Sequence, residues 1–324
     1  MIGVRKVGRT DLRVTEVGFG CAPIGNLYAE TTDDAAFDAL DAAWSAGVRY
    51  FDTAPHYGLG LSERRLGDYL ATKRRSEFVV STKVGRILEP NPDTTGSDLA
   101  AGGFAVPDTL TRRRDYSADG VRRSLDDSLR RLRMDRVDIV LVHDPDDFVD
   151  QTIAEAIPAL VELRDEGVIR AIGVGMNQWQ APLRIVRECD IDVVMLAGRW
   201  TLVDRSGAEL MAECARRGVS VLAAAPYNSG LLAGEWPTDG AHFDYRPAPP
   251  ELLAHARDLA RAATDYGTTL PALAMQFPLA HWSTSSVVTG LRSATQVAAA
   301  VDRVTQSIRT SAWEAVAALR VNRT

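Results

Sequence analysis

The chain of 324 residues predicts an α/β fold, a (β/α)8 TIM barrel forming a single domain over residues 1–324. Three observations carry that prediction. Eight short apolar runs read as strands, amphipathic stretches of helical period separate them, and the runs are continuously apolar rather than alternating. A strand apolar on both faces is buried on both, as happens when helices cover a parallel sheet. Eight such units favour a closed barrel over an open doubly wound sheet.

Residues 3–15 alternate about Gly8-Arg9-Thr10-Asp11 and predict an N-terminal β-hairpin capping the barrel's bottom. Strands are expected at 17–21, 48–52, 78–83, 138–143, 169–174, 193–196, 219–225 and 286–289. Helical patterns fill 34–46, 120–132, 152–166, 180–189, 207–217 and 249–265, and the tail beyond Gln296 is mostly helical. Thr31-Thr32-Asp33-Asp34 supplies a helix start, and Gly47 and Gly167 follow two helix ends. Two segments exceed ordinary loops. Residues 89–117 are rich in Pro, Gly, Asp and Thr, and residues 233–250 carry Trp236, His242, Phe243 and Tyr245. Both follow strand C-terminal ends, so both are expected to wall a substrate pocket at the mouth.

The composition, 46% hydrophobic and 25% charged, is that of a soluble globular protein. A net charge of -6 with no basic block argues against nucleic acid or an anionic membrane as partner. The N-terminus has no apolar signal core, and no window approaches the ~20 apolar residues of a membrane span. Cys21, Cys189 and Cys214 are unpatterned, which indicates neither a disulfide framework nor a zinc site. The expectation is a cytoplasmic protein with no metal, no obligate protein partner and a small-molecule substrate.

Lysine is rare here. Lys83, one of three lysines beside Lys6 and Lys73, closes the apolar run from Phe78 in a chain that otherwise uses arginine. An ammonium is a compact charge whose pKa moves readily on burial. Asp52, Lys83 and His143 end the second, third and fourth expected strands, so they converge on the C-terminal rim where barrel active sites sit. Tyr57 lies just beyond Asp52 and can fold back over it. A free phenol titrates near ~10; a neighbouring ammonium favours phenolate, and a carboxylate keeps that ammonium charged. His143 can then donate a hydrogen bond to a substrate oxygen. The set provides a general acid/base and an oxygen clamp but no electron acceptor, which suggests a hydride cofactor. Taken alone, Lys83 also fits the Schiff-base nucleophile of an aldolase.

Phe51-Asp52-Thr53-Ala54-Pro55-His56-Tyr57-Gly58, followed by Ser62-Glu63, resembles the signature of the aldo-keto reductase superfamily. Ser81-Thr82-Lys83-Val84-Gly85 and Leu141-Val142-His143 resemble its second and third motifs, in matching order. The resemblance covers nearly the whole chain. It implies that Tyr57 is the proton donor or acceptor, tuned by Lys83 and Asp52, and that His143 orients the substrate oxygen. It also implies NAD(P)+ or NAD(P)H bound extended across the mouth without a Rossmann domain. Gly18-Phe19-Gly20 and Gly58-Leu59-Gly60 accordingly complete no dinucleotide fingerprint. Gly290-Leu291-Arg292-Ser293-Ala294-Thr295-Gln296 resembles the adenosine-phosphate motif. There Gly290 permits close approach, the helix starting near Ser293 offers N–H groups together with Gln296, and Arg292 meets a 2′-phosphate. Asn177 matches the asparagine that holds the nicotinamide carboxamide, and Asn228-Ser229-Gly230-Leu231 resembles the pyrophosphate strap.

The chain departs from the family pattern in several places. Gly173-Val174-Gly175-Met176-Asn177 carries one extra residue, and Ala197 replaces a frequent glutamine. Ala224 or Ala225 falls where many members stack a tyrosine on nicotinamide, with Tyr227 close by. Val297 and Ala300 fall at positions that contact 2′-phosphate or adenine in NADPH-preferring members. With Lys83-Val84-Gly85-Arg86, His143-Asp144-Pro145-Asp146 and Ala197-Gly198-Arg199-Trp200, these departures resemble a subgroup of aldose 1-dehydrogenases. That subgroup includes enzymes acting on L-fucose or D-threo-aldoses and a pyridoxal 4-dehydrogenase. The implied reaction takes hydride from a cyclic hemiacetal carbon and yields a lactone, with His56, Arg86 and Trp200 as sugar contacts. An NADPH-dependent reductase of aldehydes and ketones, and a nucleotide-sensing regulatory subunit, are the alternatives the residues leave open.

Overall fold

The computed structural model describes residues 1–319. Eight parallel strands run at Val17–Gly20, Tyr50–Asp52, Val79–Val84, Ile139–His143, Ala171–Met176, Val193–Ala197, Ser220–Ala224 and Thr284–Gly290. They pair in sequence order, and the last returns to the first, with Val287 opposite Val17 and Gly290 opposite Gly20. That pairing closes the barrel and leaves it without a free sheet edge. The fifth strand runs beyond its expected end because Gly175 still pairs with His143. Only glycine fits within it at 173, where a Cβ would stand 1.6 Å from the Val193 carbonyl oxygen.

The hairpin forms as expected, Val4–Lys6 antiparallel to Arg13–Thr15. Val7, Leu12 and Val14 from it join Tyr50, Ile139, Leu141, Val193, Leu222 and Val288 in one buried interior cluster, so the hairpin plugs the bottom of a filled barrel. A larger cluster fills the layer between strands and helices. Helices occupy Asp33–Ser45, Ala118–Leu132, Gln180–Glu188, Ala208–Arg217 and Pro250–Asp265, close to expectation. The Thr32 and Ser117 hydroxyls cap the first two by accepting from the Ala35 and Gly120 N–H groups. The helix expected over 152–166 is divided into a wide π turn, Thr152–Ala156, and an α-helix, Ile157–Asp165. Pro158 has no N–H to offer the preceding turn, and the wider turn absorbs the missing bond.

Both long segments carry structure that the sequence reading did not anticipate. Arg86–Pro90 pairs antiparallel with Leu110–Arg114, Leu99–Gly102 makes one helical turn, and Phe104 and Val106 pack with Leu59 beside the mouth. In the second segment His242–Phe243 pairs with Arg246–Pro247. Its two tip residues, Asp244 and Tyr245, have φ of 49° and 62°, the tight-hairpin geometry usually given to Asn-Gly. Among the described residues no helix is long and apolar enough to cross a membrane, and no group of side chains could hold a metal ion.

Candidate active site

Asp52 stands opposite Ser81 on the neighbouring strand, and Lys83, two residues further along the same face, reaches back to it at the mouth. Lys83 Nζ donates to Asp52 Oδ2 at 2.7 Å, to the Thr53 carbonyl at 3.0 Å and to the Tyr57 hydroxyl at 3.0 Å. Asp52 Oδ1 accepts from Ser81 Oγ at 2.7 Å, and that hydroxyl lies 2.9 Å from the Tyr50 hydroxyl. Tyr57 reaches this chain through a tight turn. Gly58 has φ +62°, and a Cβ there would sit 2.2 Å from the Gly25 carbonyl oxygen. His143 ends the fourth strand with its ring edge-on to Tyr57, centroids 6.0 Å apart, and to His56 at 5.6 Å. The four residues expected to converge do converge.

Their electrostatics correct one expectation. Burial pushes the Tyr57 phenol up to about 12; Lys83 pulls the other way and Asp52 adds to the rise. The phenolate predicted from Lys83 alone is therefore not the resting form, because removing the phenol from water outweighs one ammonium that is itself paired. Burial also opposes the charge on Lys83, but Asp52 and Tyr57 outweigh it and hold the amine above its ordinary value. A protonated, carboxylate-bound lysine is no Schiff-base nucleophile, which removes the aldolase reading. His143 is held well below the usual imidazole range by burial first, then by Arg86 and Lys83. His56 is lowered to about 2 by burial, Arg86 and Arg112. Both imidazoles are neutral at physiological pH, and each leaves its buried Nδ1 without a partner.

Two clefts meet over this centre. The inner one, of 370 Å³, is lined by Asp52, His56, Tyr57, Lys83, His143 and Asp144, with Phe104 on its side wall. The outer one, of 840 Å³, is lined by Gly198, Arg199, Asn228, Ser229, His242 and Asp244. They share Leu27, Tyr28, Asn177, Ala197, Ala225 and Tyr245, so together they form one groove across the barrel mouth. Ala225, Asn228 and Ser229, which line the groove, all have positive φ. Asn228 is buried, and its Oδ1 has no partner. Gly290 lies on the wall of the inner cleft. An elongated groove with a small residue on its wall and an orphaned amide oxygen fits a dinucleotide laid across the mouth.

The remaining expected residues divide. Arg292 reaches across to the Leu27 carbonyl at 2.7 Å, and its own N–H donates to Gln296 Oε1. Ser293 caps the helix Ala294–Thr305. These three stand at the groove's edge rather than in its lining. Leu231 is buried in a satellite core with Leu232 and Leu259, so its side chain does not face the groove. Val297 and Ala300 are likewise buried on the inner face of their helix and present nothing to a cofactor. Tyr227 does not supply the missing stacking aromatic, for its hydroxyl is bonded to Arg303 at 2.9 Å. Trp200 lines neither cleft; it packs on Phe277 and His281. Arg86 also stands behind the wall, where it donates to Asp144 Oδ2 at 2.6 Å.

Asp144 is the residue the sequence reading passed over. It has φ 43°, lines the inner cleft, and stands 3.5 Å from His143 Nε2. Burial raises its carboxyl above the usual range, with Arg86 opposing. Arg199 also lines the groove. It donates to the Asn177 carbonyl at 2.9 Å and binds Asp244 at 2.7 Å, tying the hairpin tip to the groove.

The profile of the Aldo/keto reductase family matches residues 16–320. The chain is 42% identical over 313 residues to a D-threo-aldose 1-dehydrogenase of Pseudomonas sp, covering 96% of this chain and 95% of that protein. It is 38% identical over 331 residues to the pyridoxal 4-dehydrogenase of Microbacterium luteolum, covering 95% of each. Among solved structures, the holo form of the aldo-keto reductase AKR11C1 from Bacillus halodurans superposes with a TM-score of 0.79. It is 27% identical, over 100% of this chain and 98% of that one.

Proposed function

From the premise that this chain belongs to the aldo/keto reductase family and is an oxidoreductase acting on CH–OH groups, we propose that it oxidises an aldose at C1 to a lactone. The bound NAD(P)+ would supply the hydride-accepting carbon and a positive charge over the inner cleft. Asn177 would hold the carboxamide and the Ser229 hydroxyl would donate to the pyrophosphate. Asn228, whose amide nitrogen is taken by the Gly198 carbonyl, would accept from a ribose hydroxyl through its free Oδ1, and Gly290, Arg292, Ser293 and Gln296 would hold the adenosine phosphate end.

Tyr57 takes the proton from the C1 hydroxyl as the C1–H bond breaks, so the oxygen forms the lactone carbonyl. Lys83, kept charged by Asp52, stabilises the phenolate that must exist at that moment. Neutral His143 donates an N–H to the same oxygen and fixes its position. Asp144 is the observation that carries a sugar over a simple aldehyde. A half-buried carboxylate on the wall beside His143 accepts hydrogen bonds from ring hydroxyls that an unsubstituted aldehyde lacks. His56 adds a second uncharged polar contact. Arg86 acts through Asp144.

The test is product identification. Incubation with an oxidised cofactor and aldoses such as L-fucose should give a lactone that hydroxylamine traps in proportion to the reduced cofactor formed. Reduced cofactor without trapped lactone would sink the reading. One observation favours the alternative, an NADPH-dependent aldehyde or ketone reductase: with its pKa near 12 Tyr57 rests protonated, as a proton donor for reduction must be.

A further inference from the structure

We infer that the closed end of the barrel carries a second, anion-binding site suited to a compact phosphate polyanion. A cleft of 490 Å³ opens there, at the strand N-terminal ends away from the catalytic mouth, and five arginines line it: Arg13, Arg49, Arg75, Arg136 and Arg170. They come from five separate segments. Arg13 stands on the hairpin, and the others precede the second, third, fourth and fifth barrel strands in turn. Nothing in the local sequence groups them; the fold does, in a protein whose net charge is -6.

The cleft's own acids, Glu77 and Asp138, neutralise these five charges only in part. Glu77 is taken by Arg74 outside the cleft. Asp138 is 2% exposed and serves as the organiser, with Oδ2 accepting from the Val80 N–H at 2.9 Å and from Arg75 at 2.7 Å, and Oδ1 from Arg170 at 3.3 Å. Arg170 also reaches Asp11 at 3.2 Å. Arg49 donates through Nη1 to the Trp44 and Val48 carbonyls, neutral acceptors that leave its charge uncompensated. It is held over the Trp44 ring at 4.0 Å, and Arg75 over Phe78 at 5.0 Å. Arg75 Nε is buried without an acceptor. Arg13 and Arg136 have no ion pair among the described residues and lie exposed at the rim.

Five guanidinium groups gathered around one buried carboxylate repel one another, and an anion with several oxygens relieves that repulsion. Planar forks match phosphate oxygens in pairs. Two are immobilised on aromatic rings and two are free to close, a suitable division for a small ligand with two phosphoryl groups.

The experiment is calorimetric titration of the full chain with inorganic pyrophosphate at constant ionic strength. It compares the wild type with Arg13→Gln, Arg136→Gln and, as a control at the catalytic mouth, Arg292→Ala. Neither rim arginine holds a structural contact, so both rim variants should fold. The expected result is saturable one-to-one binding, weakened about tenfold by each rim substitution and unchanged by Arg292→Ala. Binding lost in Arg292→Ala but kept in both rim variants would place the anion at the mouth and overturn the inference. So would the absence of saturable binding to the wild type.

Discussion

Breaking the Asp52–Lys83 pair on one side should destabilise the barrel far more than removing both charges. Each residue is 2% exposed, and their contact is 2.7 Å. Lys83→Met leaves a buried carboxylate whose remaining side-chain donor is Ser81. Asp52→Asn leaves a buried ammonium facing an amide, the Thr53 carbonyl and Tyr57. An uncompensated buried charge costs about 3–5 kcal/mol, whereas replacing a whole buried pair with neutral groups is often close to neutral. The double variant should therefore recover most of the single losses, a coupling of at least about 2 kcal/mol. Urea unfolding of the wild type, both single variants and the double variant, followed by tryptophan fluorescence, measures it. Additive single effects would refute the claim that burial makes these two charges one unit. Because the unit also tunes Tyr57, all three variants should lose turnover whatever their stability.

Acid should destabilise the fold through His56 and His143. Their folded pKa values lie below the unfolded value of about 6.5, so the unfolded chain binds more protons below that pH; the stability they contribute is present above pH 6.5 and is lost as pH falls. The slope is at most about 1.4 kcal/mol per pH unit for each histidine, and urea midpoints that stay level between pH 7 and 5 would contradict it. With Tyr57 raised to about 12, oxidation should accelerate with pH through the range 7–10, as more phenolate becomes available; initial rates that fall over that range would rule out a phenolate base. Asp144→Asn should raise KM for an aldose about tenfold and leave KM for a simple aldehyde within twofold. Equal effects on both would remove Asp144 from substrate recognition. Arg292→Ala should weaken NADP+ about tenfold more than NAD+, measured by fluorescence titration, since only a 2′-phosphate takes the guanidinium fork.

The barrel was legible because its strands are buried on both faces and therefore read as unbroken apolar runs. The convergence of Asp52, Tyr57, Lys83 and His143 was legible for a related reason, since each stands at or just past such a run's C-terminal end. What the sequence concealed depends on contacts between distant segments. The ribbon of Arg86–Pro90 and Leu110–Arg114 carries four arginines and a proline, so no apolar alternation marks it. Asp144 looked like a turn residue before Pro145, and its carboxylate's place in the cleft depends on a backbone at φ 43° bonded to Gly175 and Tyr116 and on the distant Arg86 that pairs with it. Trp200 was misplaced by one position. Arg199 faces the groove, while the next side chain turns away onto Phe277. The phenol's raised pKa was invisible as well, because spacing reveals a neighbouring ammonium but not how much water a side chain loses.

The most direct test of the account is the initial rate of nicotinamide reduction, with NAD+ and NADP+ each crossed against aldoses and pyridoxal, for the wild type and Tyr57→Phe. The account predicts sugar-dependent turnover in the wild type and a loss of about 10²–10⁴-fold in Tyr57→Phe, with cofactor binding unchanged. Turnover in Tyr57→Phe within several-fold of wild type, or wild-type activity confined to NADPH with simple carbonyls, would contradict it.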